Sequence, residues 1–327
     1  MARGSIGRTG RLGLVAALAL VVLLFWVVHG WGGPGPATRN LTVDIPRGAT
    51  LASAAGELEK AGAISSGYRF RLYARLFGTR EPIRAGEYRV PAHLSQADIL
   101  KLLQGGRTIQ RFVTIPEGLP SVMARDVLIA SSELKGAVPV PAEGSLLPDS
   151  YGYSRGETRA SVVARMQAAM TRYLAGAWSR RKPGLAVATP RQALILAAIV
   201  EKETGKPAER RMVAAVYANR LRRGIPLQAD PTFIYPITRG RPLGRRPLLS
   251  EVHAKSDYNT YEMVGLPAGP ICNPGRASID AVLDPARSTA LYFVADGTGG
   301  HAFADTLEQH QANVRRWYAI RHARGEM

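Results

Sequence analysis

Cysteine and suitably spaced histidine are the residues that this sequence most clearly lacks. Cys272 is its single cysteine, which excludes an intramolecular disulfide and a cysteine-based metal cluster. The six histidines are scattered, and no two stand at the helical spacing that paired metal ligands need. We therefore expect neither a metal nor another cofactor.

Acidic residues are few relative to basic ones. The chain has 25 aspartate and glutamate residues against 43 lysine and arginine residues, which gives a formal net charge of +18. Such a charge favours anionic partners: nucleic acid, anionic lipid head groups or an acidic polymer. The basic residues are dispersed, without zinc-finger spacing, a basic-zipper region or an aromatic-glycine RNA-binding signature, so nucleic acid is not expected. Arginine preference in a GC-rich genome explains the excess equally well.

One long uncharged run stands near the N-terminus. It extends from 12 to 28, roughly the shortest length that crosses a bilayer, and three arginines precede it. This pattern predicts a cytoplasmic tail at 1–11, a transmembrane anchor at 12–30 and a glycine- and proline-rich linker at 31–40. By the positive-inside rule, this is a single-pass protein of the cytoplasmic (inner) membrane, with its N-terminus inside and its later domains in the periplasm or outside. A cleaved signal peptide is the alternative, but no small-x-small cleavage site follows the run closely.

A short pattern occurs twice after the linker. VDIPRG at 43–48 returns as VTIPEG at 113–118, and each copy predicts a strand that leads through a Pro-x-Gly turn into a helix. Thr50 and Ser95 are expected to cap helices, the second of which ends at the glycine pair 105–106. Two such units favour a compact α+β module over a solenoid, which needs more copies.

Longer helical patterns fill the second half of the chain. Helices are predicted over 160–178, 189–204 and 209–223, and the segment 145–153 is interpreted as a loop that enters a second domain. After residue 224 the sequence becomes polar and aromatic, with several glycines and prolines. Loops of this chemistry are typical of binding clefts.

The predicted helix over 189–204 carries two carboxylates at its end. Glu203 lies above Leu196, Ile199 and Val200 at helical spacing, whereas Glu201 lies above smaller residues. A carboxyl group on an apolar face is desolvated, which raises its pKa and suits it to donate a proton. Because residues two apart on a helix point to nearly opposite sides, at most one faces a given cleft. Glu203 is the favoured general acid, and Glu201 is the alternative.

The loops carry the other side chains that a glycan-cleaving enzyme needs, namely aromatic rings against sugar faces and amide or hydroxyl groups for sugar hydroxyls. The residues expected to bind the glycan are Gln228, Asp230, Thr232, Tyr258, Asn259, Thr260 and Tyr261. Asp230 is also the candidate for the second carboxylate that a hydrolase requires, although Asp-Pro-Thr is ordinary turn chemistry. Without a second carboxylate, the substrate's own hydroxyl must be the nucleophile.

Six motifs follow one another between residues 190 and 315. They are IVEKET at 199–204, NRL at 219–221, LQADPT at 227–232, YNTY at 258–261, GLP at 265–267 and YFVADGTGGH at 292–301. Together they resemble the YceG-like family, the endolytic murein transglycosylases. The resemblance implies an α+β fold: an N-terminal transmembrane helix, a small LysM-like module at 41–118, a connecting segment at 119–150 and a mixed α/β catalytic domain at 151–327.

The resemblance also implies an activity. Members of this family cleave MurNAc–GlcNAc bonds within nascent peptidoglycan strands, leave 1,6-anhydro-MurNAc ends, terminate strand elongation and so shape the cell wall. The implied partners are glycan strands and peptidoglycan synthases or penicillin-binding proteins, with the enzyme anchored in the membrane. The family's acid, the second glutamate of Glu-x-Glu-Thr, falls on Glu203. A muramidase-type hydrolase and a membrane-anchored wall-binding scaffold are the alternatives.

Overall fold

The protein divides between Arg111 and Phe112 into two compact units. The structure is a computed structural model that describes residues 8–326. Helices and strands are both present, so the expectation of a mixed helix and strand fold is confirmed. The LysM-like character of 41–118 and the expected boundaries at 118 and 150 stay predictions.

The first unit is built around one antiparallel strand pair. Its elements are α1 (Arg8–Gly32), β1 (Leu41–Ile45), α2 (Leu51–Lys60), α3 (Gly67–Phe77), β2 (Gly86–Val90) and α4 (Gln96–Gly105). Strand β1 pairs with β2 so that Leu41 lies opposite Val90 and Ile45 opposite Gly86. Phe70 and Tyr88 are fully buried at the centre of this unit's apolar core.

Both predicted helix caps of the first unit are confirmed. The Thr50 hydroxyl accepts a hydrogen bond from the Ser53 amide at 3.2 Å, and the Ser53 hydroxyl accepts one from the Thr50 amide at 2.8 Å. Likewise the Ser95 hydroxyl accepts from the Asp98 amide at 3.1 Å. Helix α4 ends where Gly106 takes a left-handed backbone, φ 67°, a conformation that glycine adopts without steric cost.

The expected membrane anchor is wrong. Helix α1 is continuous from Arg8 to Gly32, and its described side chains are those at 17–22 and 24–32. Within the described part of the chain, none of the helices has the length and apolarity needed to cross a membrane. The predicted single-pass localisation is therefore wrong as well. Residues 1–7 of the expected tail lie outside the described residues.

The second unit surrounds one buried helix, α7. Its elements are β3 (Arg111–Ile115), α5 (Ser121–Ala130), β4 (Asp149–Tyr153), α6 (Arg159–Ser179), α7 (Pro190–Glu203), α8 (Arg210–Arg222), α9 (Asp230–Thr238), α10 (Leu249–Val252), α11 (Arg276–Leu283), β5 (Tyr292–Ala295), β6 (His301–Ala304) and α12 (Leu307–Ala323). Strand β3 pairs with β4, and β5 pairs antiparallel with β6.

Helix α7 lies against α6, α8 and α11. Thr189 caps it and Pro190 occupies its first turn, where the missing amide hydrogen costs nothing. From Ala193 to Val200 nearly every side chain is buried, so the helix is fixed by packing on all sides rather than along one stripe. Its C-terminal turn, which carries Glu201 and Glu203, is thereby held at a defined place.

Two segments that were interpreted as loops are regular. Residues 149–153 form β4, because they pair with β3, which is distant in sequence. The Asp-Pro-Thr turn at 230–232 is the start of helix α9, with Pro231 in its first turn. Turn-like composition and a helix N-terminus use the same residue types, so composition alone does not separate them.

Candidate active site

A cleft of about 290 Å³ opens beside the C-terminal end of α7. Helices α7, α8, α9 and α12, the loop before α9 and the segment that enters β5 all contribute to its wall. The lining residues are Glu203, Tyr217, Arg220, Leu227, Gln228, Asp230, Tyr261, Leu291, Tyr292, Phe293 and His310. We call it the Glu203 cleft.

Glu203 has the environment of a general acid. Its Oε1 atom is buried and has no hydrogen-bond partner among the described atoms. Burial, and secondly the charge of Asp230, raise its pKa to about 7, while a hydrogen bond from the Tyr217 hydroxyl lowers it. A carboxyl group with this pKa is about half protonated at neutral pH, so it can both donate and accept a proton there.

Glu201 is engaged elsewhere. Its Oε2 atom accepts a hydrogen bond from the Gly275 amide at 2.9 Å, and its Oε1 atom lies 3.8 Å from an Arg210 nitrogen. The side chain is 6% exposed. Both oxygens therefore have partners that fix the segment before α11 to α7, which is the role of a structural carboxylate.

Tyr217 and Tyr261 place hydroxyl groups around the acid. Burial raises the pKa of Tyr217 well above its ordinary value, and the neighbouring charge of Glu203 raises it further, so its hydroxyl stays protonated. The Tyr261 hydroxyl donates to Asp230 Oδ1, and its ring meets Phe233 edge-on at 5.7 Å. Asp230 is thus a second carboxylate in the same cleft, held by a tyrosine.

Three of the expected glycan-binding residues are buried in the loop framework: Thr232, Asn259 and Thr260. The Thr260 hydroxyl accepts from the Ala229 amide at 3.1 Å and lies 2.8 Å from the Thr232 hydroxyl. The Asn259 amide donates to two backbone carbonyls and its oxygen accepts from the Tyr261 amide at 3.0 Å. The hydrogen bonds of Thr260 join the loop before α9 to the loop that carries Tyr261, and those of Asn259 hold the second loop in shape.

Gln228, Asp230 and Tyr261 are the expected glycan-binding residues that line the Glu203 cleft. The Gln228 backbone is left-handed, φ 53°, and its amide donates to the Thr260 carbonyl at 3.0 Å. Tyr258 packs on Tyr235 with ring centroids 4.9 Å apart, outside the lining of this cleft. The structure therefore separates the seven residues into those at the cleft wall and those behind or beside it.

Four polar lining residues were not singled out from the sequence: Tyr217, Arg220, Tyr292 and His310. Arg220 lies in the NRL motif and Tyr292 in the YFVADGTGGH motif, so the motifs could have indicated that both belong to the site. His301, which the second motif contains, binds Glu209 instead, with 2.7 Å between its Nδ1 and Oε2. Nothing in the sequence pattern marks Tyr217 or His310.

A desolvated carboxylic acid, a nearby carboxylate and protonated tyrosines in one polar cleft are the groups that acid–base catalysis requires. In the described residues, no three His, Cys, Asp or Glu side chains are grouped so that they could hold a metal ion. The chain belongs to the YceG-like family, whose profile matches residues 43–316. The family predicted from the six motifs is confirmed.

Related proteins have been named for an activity. The chain is 30% identical to an endolytic murein transglycosylase of Streptococcus pneumoniae serotype 2, strain D39, over 84% of this chain and 58% of that protein. It is 27% identical to an endolytic murein transglycosylase of Bacillus subtilis strain 168, over 83% of each. The chain thus spans little more than half the length of the pneumococcal relative.

A crystal structure of a yceG-like protein from Listeria monocytogenes is similar to most of this chain. Its TM-score is 0.52 at 26% sequence identity, and the match covers 84% of this chain and 99% of that chain.

Proposed function

We propose that this chain is an endolytic peptidoglycan lytic transglycosylase, which cleaves MurNAc–GlcNAc bonds within glycan strands and leaves 1,6-anhydro-MurNAc ends. The observation that carries the proposal is the buried carboxyl group of Glu203 at the wall of an open cleft, where its Oε1 atom has no hydrogen-bond partner among the described atoms. The names of the pneumococcal and Bacillus relatives agree with it.

One carboxyl group is sufficient for this reaction. Glu203 donates its proton to the glycosidic oxygen as the bond from that oxygen to C1 of the muramyl residue breaks. The resulting carboxylate then takes the proton of the muramyl C6 hydroxyl while that oxygen bonds to C1. The proton count of Glu203 is restored and no water is consumed. The Tyr217 hydroxyl stabilises the carboxylate between the two steps, since its hydrogen bond favours the ionised form.

One observation, the presence of Asp230 in the same cleft, supports a second candidate reaction. A muramidase-type hydrolase would use Asp230 as base or nucleophile and transfer a water to C1. Asp230 already accepts a hydrogen bond from Tyr261, which fixes its orientation. We assign Asp230, Gln228 and Tyr261 to glycan binding. Thr232, Asn259 and Thr260 hold these side chains in place. Tyr258 contacts glycan that extends beyond the cleft.

The wider role proposed for the enzyme is to terminate the elongation of nascent strands, in contact with peptidoglycan synthases or penicillin-binding proteins. The excess of basic residues suits an anionic wall polymer. The module at 41–118 is proposed to be LysM-like and to hold glycan.

The deciding experiment is mass spectrometry of the ends that the full chain releases from uncrosslinked glycan strands. Anhydro ends are expected from the wild type and from Glu201→Gln, and their rate of formation should fall by roughly 10²–10⁴-fold in Glu203→Gln, because that is the usual contribution of general acid catalysis. Ends heavier by one water that vanish in Asp230→Asn would instead show a hydrolase. No product from any form would favour a wall-binding scaffold.

A further inference from the structure

Arg220 is a buried cation without a carboxylate partner. Its side chain is 8% exposed, and the groups that act on its charge are tyrosines rather than any described aspartate or glutamate. A charge in such a place is unfavourable unless something compensates it. The protein nevertheless keeps it at the wall of the Glu203 cleft.

Two of its three nitrogens are occupied by backbone carbonyls. Nε donates to the Leu291 carbonyl at 2.7 Å, and Nη1 donates to the carbonyls of Leu227 and Pro226 at 2.7 and 3.0 Å. Within the described part of the chain, Nη2 donates no hydrogen bond. Nη2 is thus the nitrogen that remains for a ligand in the cleft.

Two stacked rings lie beside the Arg220 guanidinium. The guanidinium carbon lies 5.2 Å from the centre of the Tyr292 ring, and His310 stacks on Tyr292 with centroids 5.2 Å apart and planes 21° apart. His310 Nδ1 is itself buried without a partner among the described atoms. Burial and the charge of Arg220 lower the pKa of His310, so the imidazole is neutral at physiological pH.

The number of free nitrogens limits the ligand. A carboxylate or phosphate is held best by two parallel N–H donors, and each such pair in a guanidinium includes Nε or Nη1, which here already donate to backbone carbonyls. One remaining nitrogen suits a single carbonyl oxygen. If the proposed function is correct, a muramyl residue lies with C1 at Glu203, and it carries an acyl carbonyl on each of two neighbouring positions, the C2 acetamido group and the C3 lactyl group.

We propose that Arg220 is a specificity-determining residue that binds an acyl carbonyl of the muramyl residue through Nη2. This inference rests on the proposed function and extends it: the enzyme selects strands by their acyl groups as well as by the bond it cleaves. The interaction forms on substrate binding and compensates the buried charge.

The test is a substrate-by-variant comparison of kcat/KM. Three strands are used: intact uncrosslinked glycan, glycan de-N-acetylated at the muramyl C2, and peptide-free glycan whose lactyl carboxyl group has been reduced to the alcohol. The variants are Arg220→Lys and, as a matched control on the exposed end of the same helix, Arg222→Lys, whose guanidinium binds the Gly184 carbonyl at 2.9 Å.

We expect the wild type and Arg222→Lys to prefer intact strands over one analogue by roughly 10- to 100-fold, the range for one hydrogen bond to a charged group. In Arg220→Lys that ratio should fall to near one. Loss of discrimination against de-N-acetylated strands identifies the acetamido carbonyl as the ligand, and loss against the strands with a reduced lactyl group identifies the lactyl carbonyl.

Equal slowing on all three strands would overturn the inference, because it would mean that Arg220 only ties the backbone. Anhydro ends still formed in that case would leave the proposed function intact, whereas their absence from the wild type would remove the function first. If circular dichroism shows that Arg220→Lys does not fold, Tyr292→Ala replaces it. That change removes the ring beside the guanidinium but keeps the three carbonyl contacts, and unchanged discrimination in it would equally overturn the inference.

Discussion

The hydrogen bond from Tyr217 lowers the pKa of Glu203, so the dependence of activity on pH tests the site. The proposed acid must be protonated, so kcat/KM should fall as pH rises through about 7, the raised pKa of Glu203. The Tyr217 hydrogen bond lowers that pKa. Tyr217→Phe should therefore move the falling limb to higher pH, by roughly 0.5–1 unit for a bond of about 1 kcal/mol.

The matched control for this profile is Tyr318→Phe, since Tyr318 is 51% exposed on α12. Its pH profile should coincide with that of the wild type. A limb that stays in place or moves to lower pH in Tyr217→Phe would contradict the assignment of Glu203 as the acid that Tyr217 touches.

Single residues differ in how far the sequence could predict their place. Helical periodicity distinguishes Glu203 from Glu201, because the large apolar residues three, four and seven positions before Glu203 are visible in the sequence. Gln228 and Thr260 look alike as polar loop residues, yet the first lines the cleft and the second is buried. Their burial depends on which loops meet, and that is decided by contacts between residues far apart in sequence.

The buried hydroxyl groups of Thr232 and Thr260 help to join the loop before α9 to the loop that carries Tyr261. Thr260→Val removes the acceptor for the Ala229 amide and the partner of the Thr232 hydroxyl, while it keeps the side-chain volume. Leaving buried polar groups unpaired costs about 1–3 kcal/mol each. Urea unfolding should show a loss of free energy in that range, together with a lower kcat because Tyr261 is carried by the same loop.

The control for this change is Thr171→Val, on the exposed face of α6. A surface substitution there should alter stability by no more than about 0.5 kcal/mol. Equal stability of wild type and Thr260→Val would mean that the hydroxyl pair does not hold the loops.

Elements with local signals could be predicted, and those fixed by distant contacts could not. The caps at Thr50 and Ser95 and the repeated strand pattern follow from neighbouring residues. Helix α3 carries exposed apolar residues such as Tyr68 and Leu76 besides the buried Phe70 and Ala74, so the sequence alone does not show which of them face the core. Strand β4 exists because β3 pairs with it.

At the scale of the whole molecule, the place of the second copy of the repeated pattern depends on contacts between residues far apart in sequence. The repeated pattern places 113–118 beside 43–48 in one module. Contacts divide the chain before Phe112, and the Gly118 amide donates at 2.9 Å to the carbonyl of Asn273, far along the second unit. Membership of the family, by contrast, was readable from the order of six motifs, because motif order does not depend on such contacts.

The buried acid should make the whole protein less stable as pH rises. A carboxyl group whose folded pKa is raised from 4.5 to about 7 opposes folding once it must ionise. Stability is complete below the unfolded pKa and is lost as pH rises through the folded one, by about 3 kcal/mol at pH 8. Glu203→Gln should therefore unfold at higher urea than the wild type at pH 8 and at nearly the same urea at pH 4.

Glu201→Gln, two residues away on the same helix, is the contrasting variant. Its carboxylate has partners in Gly275 and Arg210, so the substitution should give no gain at pH 8. Tryptophan fluorescence in urea at both pH values measures all three proteins. If Glu203→Gln gained nothing at pH 8, its carboxyl would not be desolvated in the folded chain, and the physical basis for its role as the acid would be lost with it.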